Sequence, residues 1–156
     1  MKTATVVRRL EPAKSVEVIT EDSVALLFRD RYRGQLLFDH DLKAWFVWDG
    51  NRWRQDKTAL AFEFARQLAR ELTLDQSPKL RTIANKVSFA AGVEKFSRSD
   101  RAFAVDATEW DPIIFLLGTP GGTVNLRDGT LQPASPEARI TKLTAVAPAE
   151  TADCPI

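Results

Sequence analysis

His40 is the only histidine among the 156 residues, and it stands between Asp39 and Asp41. An imidazole flanked by carboxylates has the donor set of a metal site or of an acid–base pair. The same DHD between two apolar runs also reads, more simply, as the polar loop of a hairpin. A Ser-His-Asp triad would need a serine at a strand-to-helix elbow, and no serine has that setting. Asp106, Glu109 and Asp111 form a second cluster. Close carboxylates bind magnesium or move protons. Nothing else in the sequence supports either role, and a helix end with solvated acids is the simpler reading. No catalytic residue and no metal site is expected.

A third group is GTPGGTVNLRDGTLQP, residues 118–133, which holds four of the seven glycines. A phosphate loop of the G-x-x-x-x-G-K-[ST] kind needs its lysine next to the last glycine, and the next lysine here is Lys142. The G-x-G-x-x-G form is absent, and Pro120 removes an N–H that a phosphate nest would use. Tight turns explain the stretch better. Asp128-Gly129 is a two-residue hairpin signal, and centring the turn there sets Leu126 opposite Leu131. Val124, Leu126 and Leu131 would then share a buried face, with Thr123, Asn125, Arg127, Thr130 and Gln132 on the wet one. Gly121-Gly122 would bend the chain into the hairpin, as Asp49-Gly50 turns it earlier. Asp49, Gly50, Gly121, Gly122, Asp128 and Gly129 are therefore read as structural turn residues.

Candidates for nucleic-acid contact are aromatic and basic. Trp45, Trp48 and Trp53 have rings that stack on unpaired bases, although aromatics on a strand meander also make core. Arg52 and Arg54 flank Trp53 and suit phosphates beside a stacked base. Residues 79–101 carry a local basic excess, with Lys79, Arg81, Lys86, Lys95, Arg98 and Arg101 against Glu94 and Asp100. On one helix Lys79 and Lys86 would lie about two turns, ~10 Å, apart on the same side, where phosphates are within reach. The candidate set is Arg52, Trp53, Arg54, Lys79, Arg81, Lys86, Arg98 and Arg101, against a default of solvated faces.

The elements that must position these groups follow from periodicity. Residues 1–16 read as a flexible lead-in. Thr20 is a good N-cap, Glu21 and Asp22 suit a first helical turn, and Val24, Leu27 and Phe28 make an apolar stripe. A helix over residues 21–32 follows, with Gly34 as its stop. Aromatic runs broken by DHD and DG predict a meander with strands near 35–39, 43–48 and 51–55. Leu60, Phe64, Leu68 and Leu72, thickened by Ala61, Ala65 and Ala69, predict an amphipathic helix over 58–72. Ser77 and Pro78 open another, whose face is Leu80, Ile83, Ala84, Val87, Ala90 and Ala91 and which Gly92 weakens. Residues 101–109 read as a short helix or turn ended by Asp111-Pro112. An apolar run, IIFLL, leads into the glycine stretch. The fold class is α+β, with helices packed on a small antiparallel meander plus a C-terminal β-hairpin.

Composition narrows the function. Forty-four per cent of the residues are apolar, enough for a packed core, and the net charge of +1 gives no global pull toward nucleic acid or membrane. Any electrostatic footprint is local. Cys154 is the only cysteine, so no internal disulfide and no thiolate cluster can form. No apolar run approaches a membrane span, and no signal-peptide core is visible at the N-terminus. A cytoplasmic protein with no membrane partner is the expectation.

Three pieces, AWFVWDGNRWRQD, LLGTPGGTVNLRDGTLQP and TKLTAVAPAETADCP, stand in one order and spacing. Together they resemble the domain that precedes the superfamily-3 helicase in phage- and plasmid-type primase–helicases, a group that includes the poxvirus helicase–primase. The resemblance covers roughly residues 20–155, and its most specific parts are the tryptophan-rich hairpin and the stretch around Asn125. It departs from the family pattern at Gly118 and Gly121, where the family has asparagines, and residues 89–110 match only in outline. It implies a non-catalytic accessory module of a replicative DNA helicase, spanning 17–147 and followed by a linker, 148–156, toward a helicase domain. In the family Cys-Pro leads into the helicase, so an end at Ile156 implies an isolated module; with a native Met1 no primase domain would precede it. The implied partners are single-stranded or forked DNA, the adjacent helicase domain and other subunits of a ring. ATP and magnesium are expected of the parent helicase and no cofactor of this chain. A bacterial host, with a phage or mobile element as source, is also implied. The alternative is a pure protein-interaction or oligomerisation domain that never touches DNA. A small nuclease would need a carboxylate cluster better than the one present.

Overall fold

The computed structural model describes residues 18–149. The predicted lead-in 1–16 and most of the predicted linker 148–156 lie outside them. Helix α1 is Glu21–Tyr32, as its caps predict. The Thr20 hydroxyl accepts the Ser23 N–H, and the Ser23 hydroxyl accepts the Thr20 N–H, so two orphan donors are satisfied reciprocally. Gly34, at φ 79°, turns the chain out of the helix. Strands β1 (Leu36–Asp39), β2 (Ala44–Trp48) and β3 (Trp53–Gln55) form the expected antiparallel meander.

All four residues of β1 are buried, because the sheet is covered on both faces. Leu36 and Phe38, with their partners Val47 and Trp45, face the helices. Leu37 and Phe46 face the other way, into a second core with Trp53 and Val105. A fourth strand, β4 (Ala104–Val105), runs parallel to β1 and makes the order β3-β2-β1-β4. The short helix or turn expected over 101–109 is present as a turn at 101–103 and a 3₁₀ turn at Ala107–Glu109, with this unpredicted strand between them. Two residues carry no local strand signal, and this strand exists only because Phe38 donates to the Phe103 carbonyl and His40 to that of Val105.

Helix α2 is Leu60–Thr73, with Ala61, Ala65, Leu68 and Ala69 buried on its predicted face. The helix expected to start at Pro78 is in fact two. Helix α3 (Pro78–Ala84) ends at Asn85, Lys86 is extended, and α4 runs Val87–Arg98. Gly92 does not weaken α4. A β-carbon there would lie 2.8 Å from Glu21 Cγ, so the glycine is what lets α1 and α4 pack closely. Helices α1, α2 and α4 form one layer over the sheet, around Phe28, Trp45, Leu68, Val93 and Phe103.

A second sheet is built from β5 (Leu116–Thr119), β6 (Gly122–Asn125) and β7 (Leu131–Gln132). The expected C-terminal hairpin is present as β6–β7, but its register differs from the predicted one. Val124, not Leu126, stands opposite Leu131. The turn is a four-residue loop, Leu126–Gly129. Gly129 N–H bonds the Asn125 carbonyl, and the Asn125 side chain accepts the Arg127 N–H. These local bonds outcompete the two-residue turn. Leu126 and Leu131 are consequently exposed, and Thr123, assigned to the wet face, is buried. Its neighbour across the ladder, Gly118, lies against Ile140 and the Lys142 carbonyl, so that face is covered by the chain's own C-terminal segment.

Candidate nucleic-acid interface

Trp53 is 2% exposed and donates its indole N–H to the Pro136 carbonyl at 2.8 Å. It is the centre of the second core, between Trp48 and Trp110. Its ring is not available for stacking on a base, which corrects its place among the candidates. Arg52 leans back on Asp49, 3.7 Å away, and on the Thr141 carbonyl at 3.4 Å. It ties the β2–β3 turn to the C-terminal segment. Arg54 is exposed on β3.

Lys79, Arg81, Lys86 and Arg101 are all exposed, but no helix carries them as one stripe. Lys79 and Arg81 lie on α3, Lys86 in the break before α4, and Arg101 beyond the end of α4. The predicted two-turn spacing of Lys79 and Lys86 is therefore lost, because Asn85 ends the first helix and Lys86 is extended. Gly50, Gly122 and Gly129 all take positive φ, whereas Gly121 does not.

The acidic candidates have structural partners. Asp39 is fully buried, not a solvated loop residue. It accepts the N–H groups of Asp41 and Leu42 and the Trp110 indole at 2.7 Å. His40 pairs its Nε2 with the Arg98 carbonyl. Asp106 caps the 3₁₀ turn Ala107–Glu109, and Asp111 bonds both the N–H and the hydroxyl of Thr141. Among the described residues no three His, Cys, Asp or Glu converge to hold a metal ion.

Arg98 leads to a feature that the sequence did not reveal. It lines an open groove of about 650 Å³ between the β1–β2 turn, the β3–α2 loop and the facing sides of α2 and α4. Lys43 and Lys57 stand at its rim, and Leu42, Trp45 and Phe62 supply its apolar surface. Two acids line it as well, and both are already engaged. Asp56 accepts the Thr58 hydroxyl and the N–H groups of Thr58 and Leu60, which caps α2. Burial alone would raise its pKa, but these hydrogen bonds, helped by Arg54, outweigh that and hold the carboxyl below its ordinary value. Glu94 accepts the Trp45 indole and grips Arg98 through two hydrogen bonds of 2.7 and 2.8 Å. Among the described residues neither Lys43 nor Lys57 is in an ion pair. The groove is therefore lined by three cations, Lys43, Lys57 and Arg98, against two carboxylates, Asp56 and Glu94, a local excess of one positive charge. Lys43 and Ala59, which both line the groove, hold φ of 52° and 58°, a region that side chains rarely adopt.

No local signal in the sequence marks Lys43 or Lys57. Each is an isolated cation in a turn, and only the docking of helices on the sheet brings them to one groove. A second unpredicted surface is apolar. On the open face of the second sheet, Leu117, Val124 and Leu131 form one row across the strands, and Phe115 and Leu126 flank it. Leu126 and Leu131 are more than half exposed, and the Arg127 guanidinium lies 4.1 Å from the Phe115 ring centroid.

The family model described as "D5 N terminal like" matches residues 25–156. No curated protein matches the chain.

Proposed function

The chain belongs to the D5 N-terminal-like family, the N-terminal domain of phage- and plasmid-type primase–helicases, and from this premise we propose that it is a non-catalytic accessory module that contacts DNA beside a replicative helicase. The observation that carries the DNA contact is the groove, where three lining cations stand against two lining acids, one of which is paired with Arg98. Phosphates are the natural partners of such a surface in a replication protein. ATP and magnesium act in this reading on the adjoining helicase, and the chain alone hydrolyses no ATP. Its working place is the cytoplasm of a bacterial host. Fluorescence anisotropy with a labelled single strand tests the proposal. Weak binding that falls steeply with salt is expected, because phosphate contacts release counterions. No binding at low salt overturns it.

A second reading, a protein-interaction or oligomerisation domain, is favoured by the apolar sheet face. Phe115, Leu117, Leu126 and Leu131 are all between 37 and 55% exposed. Together they leave an apolar surface on the order of a few hundred Å², the size at which patches mark interaction sites. Sedimentation of the parent protein and of its Leu126→Glu and Leu131→Glu variants tests this reading. Loss of assembly with unchanged melting supports it, and unchanged assembly counts against it.

A further inference from the structure

We infer that the groove between the β1–β2 turn, the β3–α2 loop, α2 and α4 takes an unpaired nucleic-acid strand, with phosphates on Lys43 and Lys57 and a base against Phe62 and Leu42. This rests on the DNA-contact reading above and specifies its site and its substrate class. Lys43 and Lys57, in no ion pair among the described residues, line the groove beside Asp56, and the half-exposed Arg98 adds a third cation whose charge is shared with Glu94. Beside them lie the Phe62 ring and the exposed Leu42 side chain. A duplex offers phosphates outside and hides its base faces in the stack. An unpaired strand offers both at once, and bases stack on aromatic rings whatever their identity. Only the unpaired strand uses the rim and the apolar lining together.

The groove is also preset. Of its two lining acids, Glu94 is paired with Arg98, and the ionised Asp56 is held by Thr58 and Leu60 at the start of α2, so the three lining cations exceed the lining carboxylates by one charge. Phe62 and Arg98 lie on α2 and α4, and Leu42, Lys43 and Lys57 lie in the short connections that border them. An acidic peptide would satisfy the lysines as well, but nothing in it requires an aromatic ring beside them.

The test uses the full chain with a short oligothymidine and a duplex of equal length. The wild type is expected to prefer the single strand. Lys43→Glu with Lys57→Glu should weaken single-strand binding and flatten the slope of log K against log salt by about 1.4, two contacts at ~0.7 each. Phe62→Ala should lower single-strand affinity roughly 5-fold or more, the scale of one lost base stack, and leave duplex binding unchanged. Leu42→Ala, in an exposed turn, repeats that test should Phe62→Ala melt below the wild type. Wild-type binding that neither the lysine pair nor the apolar variants alter overturns this site and leaves the DNA reading intact. No wild-type binding removes both. Equal displacement by polyglutamate, with Phe62→Ala and Leu42→Ala silent, also overturns the inference and assigns the groove to an acidic protein.

Discussion

The Trp45 indole N–H donates to the Glu94 carboxylate at 2.5 Å, joining the middle of the four-stranded sheet to the middle of α4. The same carboxylate holds Arg98 one turn further along the helix. Glu94 is thus a bolt between the layers as well as the neutralising charge of the groove.

Glu94→Ala removes the acceptor of the buried Trp45 indole N–H, and we expect a loss of about 1–3 kcal/mol. Glu94→Gln retains an acceptor and loses only the attraction to Arg98, whose side chain is 43% exposed. With Arg98 half-exposed and only Glu94 buried, the attraction is expected to contribute about 1 kcal/mol, the upper end for solvent-screened pairs. Urea unfolding of the two variants checks the order. Equal losses would mean that the indole bond adds nothing beyond the ion pair.

Two glycines of the second sheet should be intolerant. A β-carbon on Gly118 would meet the Lys142 carbonyl at 2.5 Å, and one on Gly122 would meet the Gln132 carbonyl at 2.4 Å. Both neighbours are backbone, so relief requires moving a chain segment. Gly118→Ala and Gly122→Ala are each expected to cost about 1–3 kcal/mol from overpacking, with more at Gly122, whose φ is also positive. Gly129 has a positive φ but open space around it, so Gly129→Ala should cost only about 1 kcal/mol. Thermal melts rank the three, and a Gly129→Ala loss above the other two would refute the ranking.

The loop at Asn125 should matter more than the leucine beside it. Asn125 holds the Arg127 N–H and reaches toward Asp128, whereas Leu126 is 55% exposed. Asn125→Ala should cost about 1 kcal/mol, the net value of such a bond. Leu126→Ala should stay within about 0.5 kcal/mol, as exposed substitutions usually do. A larger loss at Leu126, seen in the same melts, would restore the register predicted from the sequence.

Asp56 gives the stability a defined pH dependence. Its folded carboxyl sits below the ordinary value of 3.8. The stabilisation is therefore complete above that ordinary value and is lost as pH falls from it through the lowered folded value. Asp56→Asn should melt below the wild type at neutral pH, and the gap should close in strong acid. Melting curves of both proteins across that range decide it. A gap that persists at the acid end would show that the capping geometry matters and the charge does not.

The sequence by itself determined the elements whose cause is local. Thr20, Ser23 and Gly34 bound α1 by caps and a stop, and the four-residue spacing from Leu60 to Leu72 made α2. The aromatic runs between DHD and DG made the meander, and the motifs around Trp45 and Asn125 carried the family. Tertiary structure decided whatever depends on partners far along the chain. β4 is held by β1, which precedes it by more than sixty residues. Trp53 looks like a stacking ring by type, yet a carbonyl and two indoles claim it. Gly92 looks like a helix breaker until Glu21 fills its place. Lys43, Lys57 and Arg98 carry no shared signal, because a groove is a property of packed elements. The physical reason is the range of the forces. Capping bonds and helical periodicity act within about a turn, while burial and charge pairing act between whatever the fold brings together.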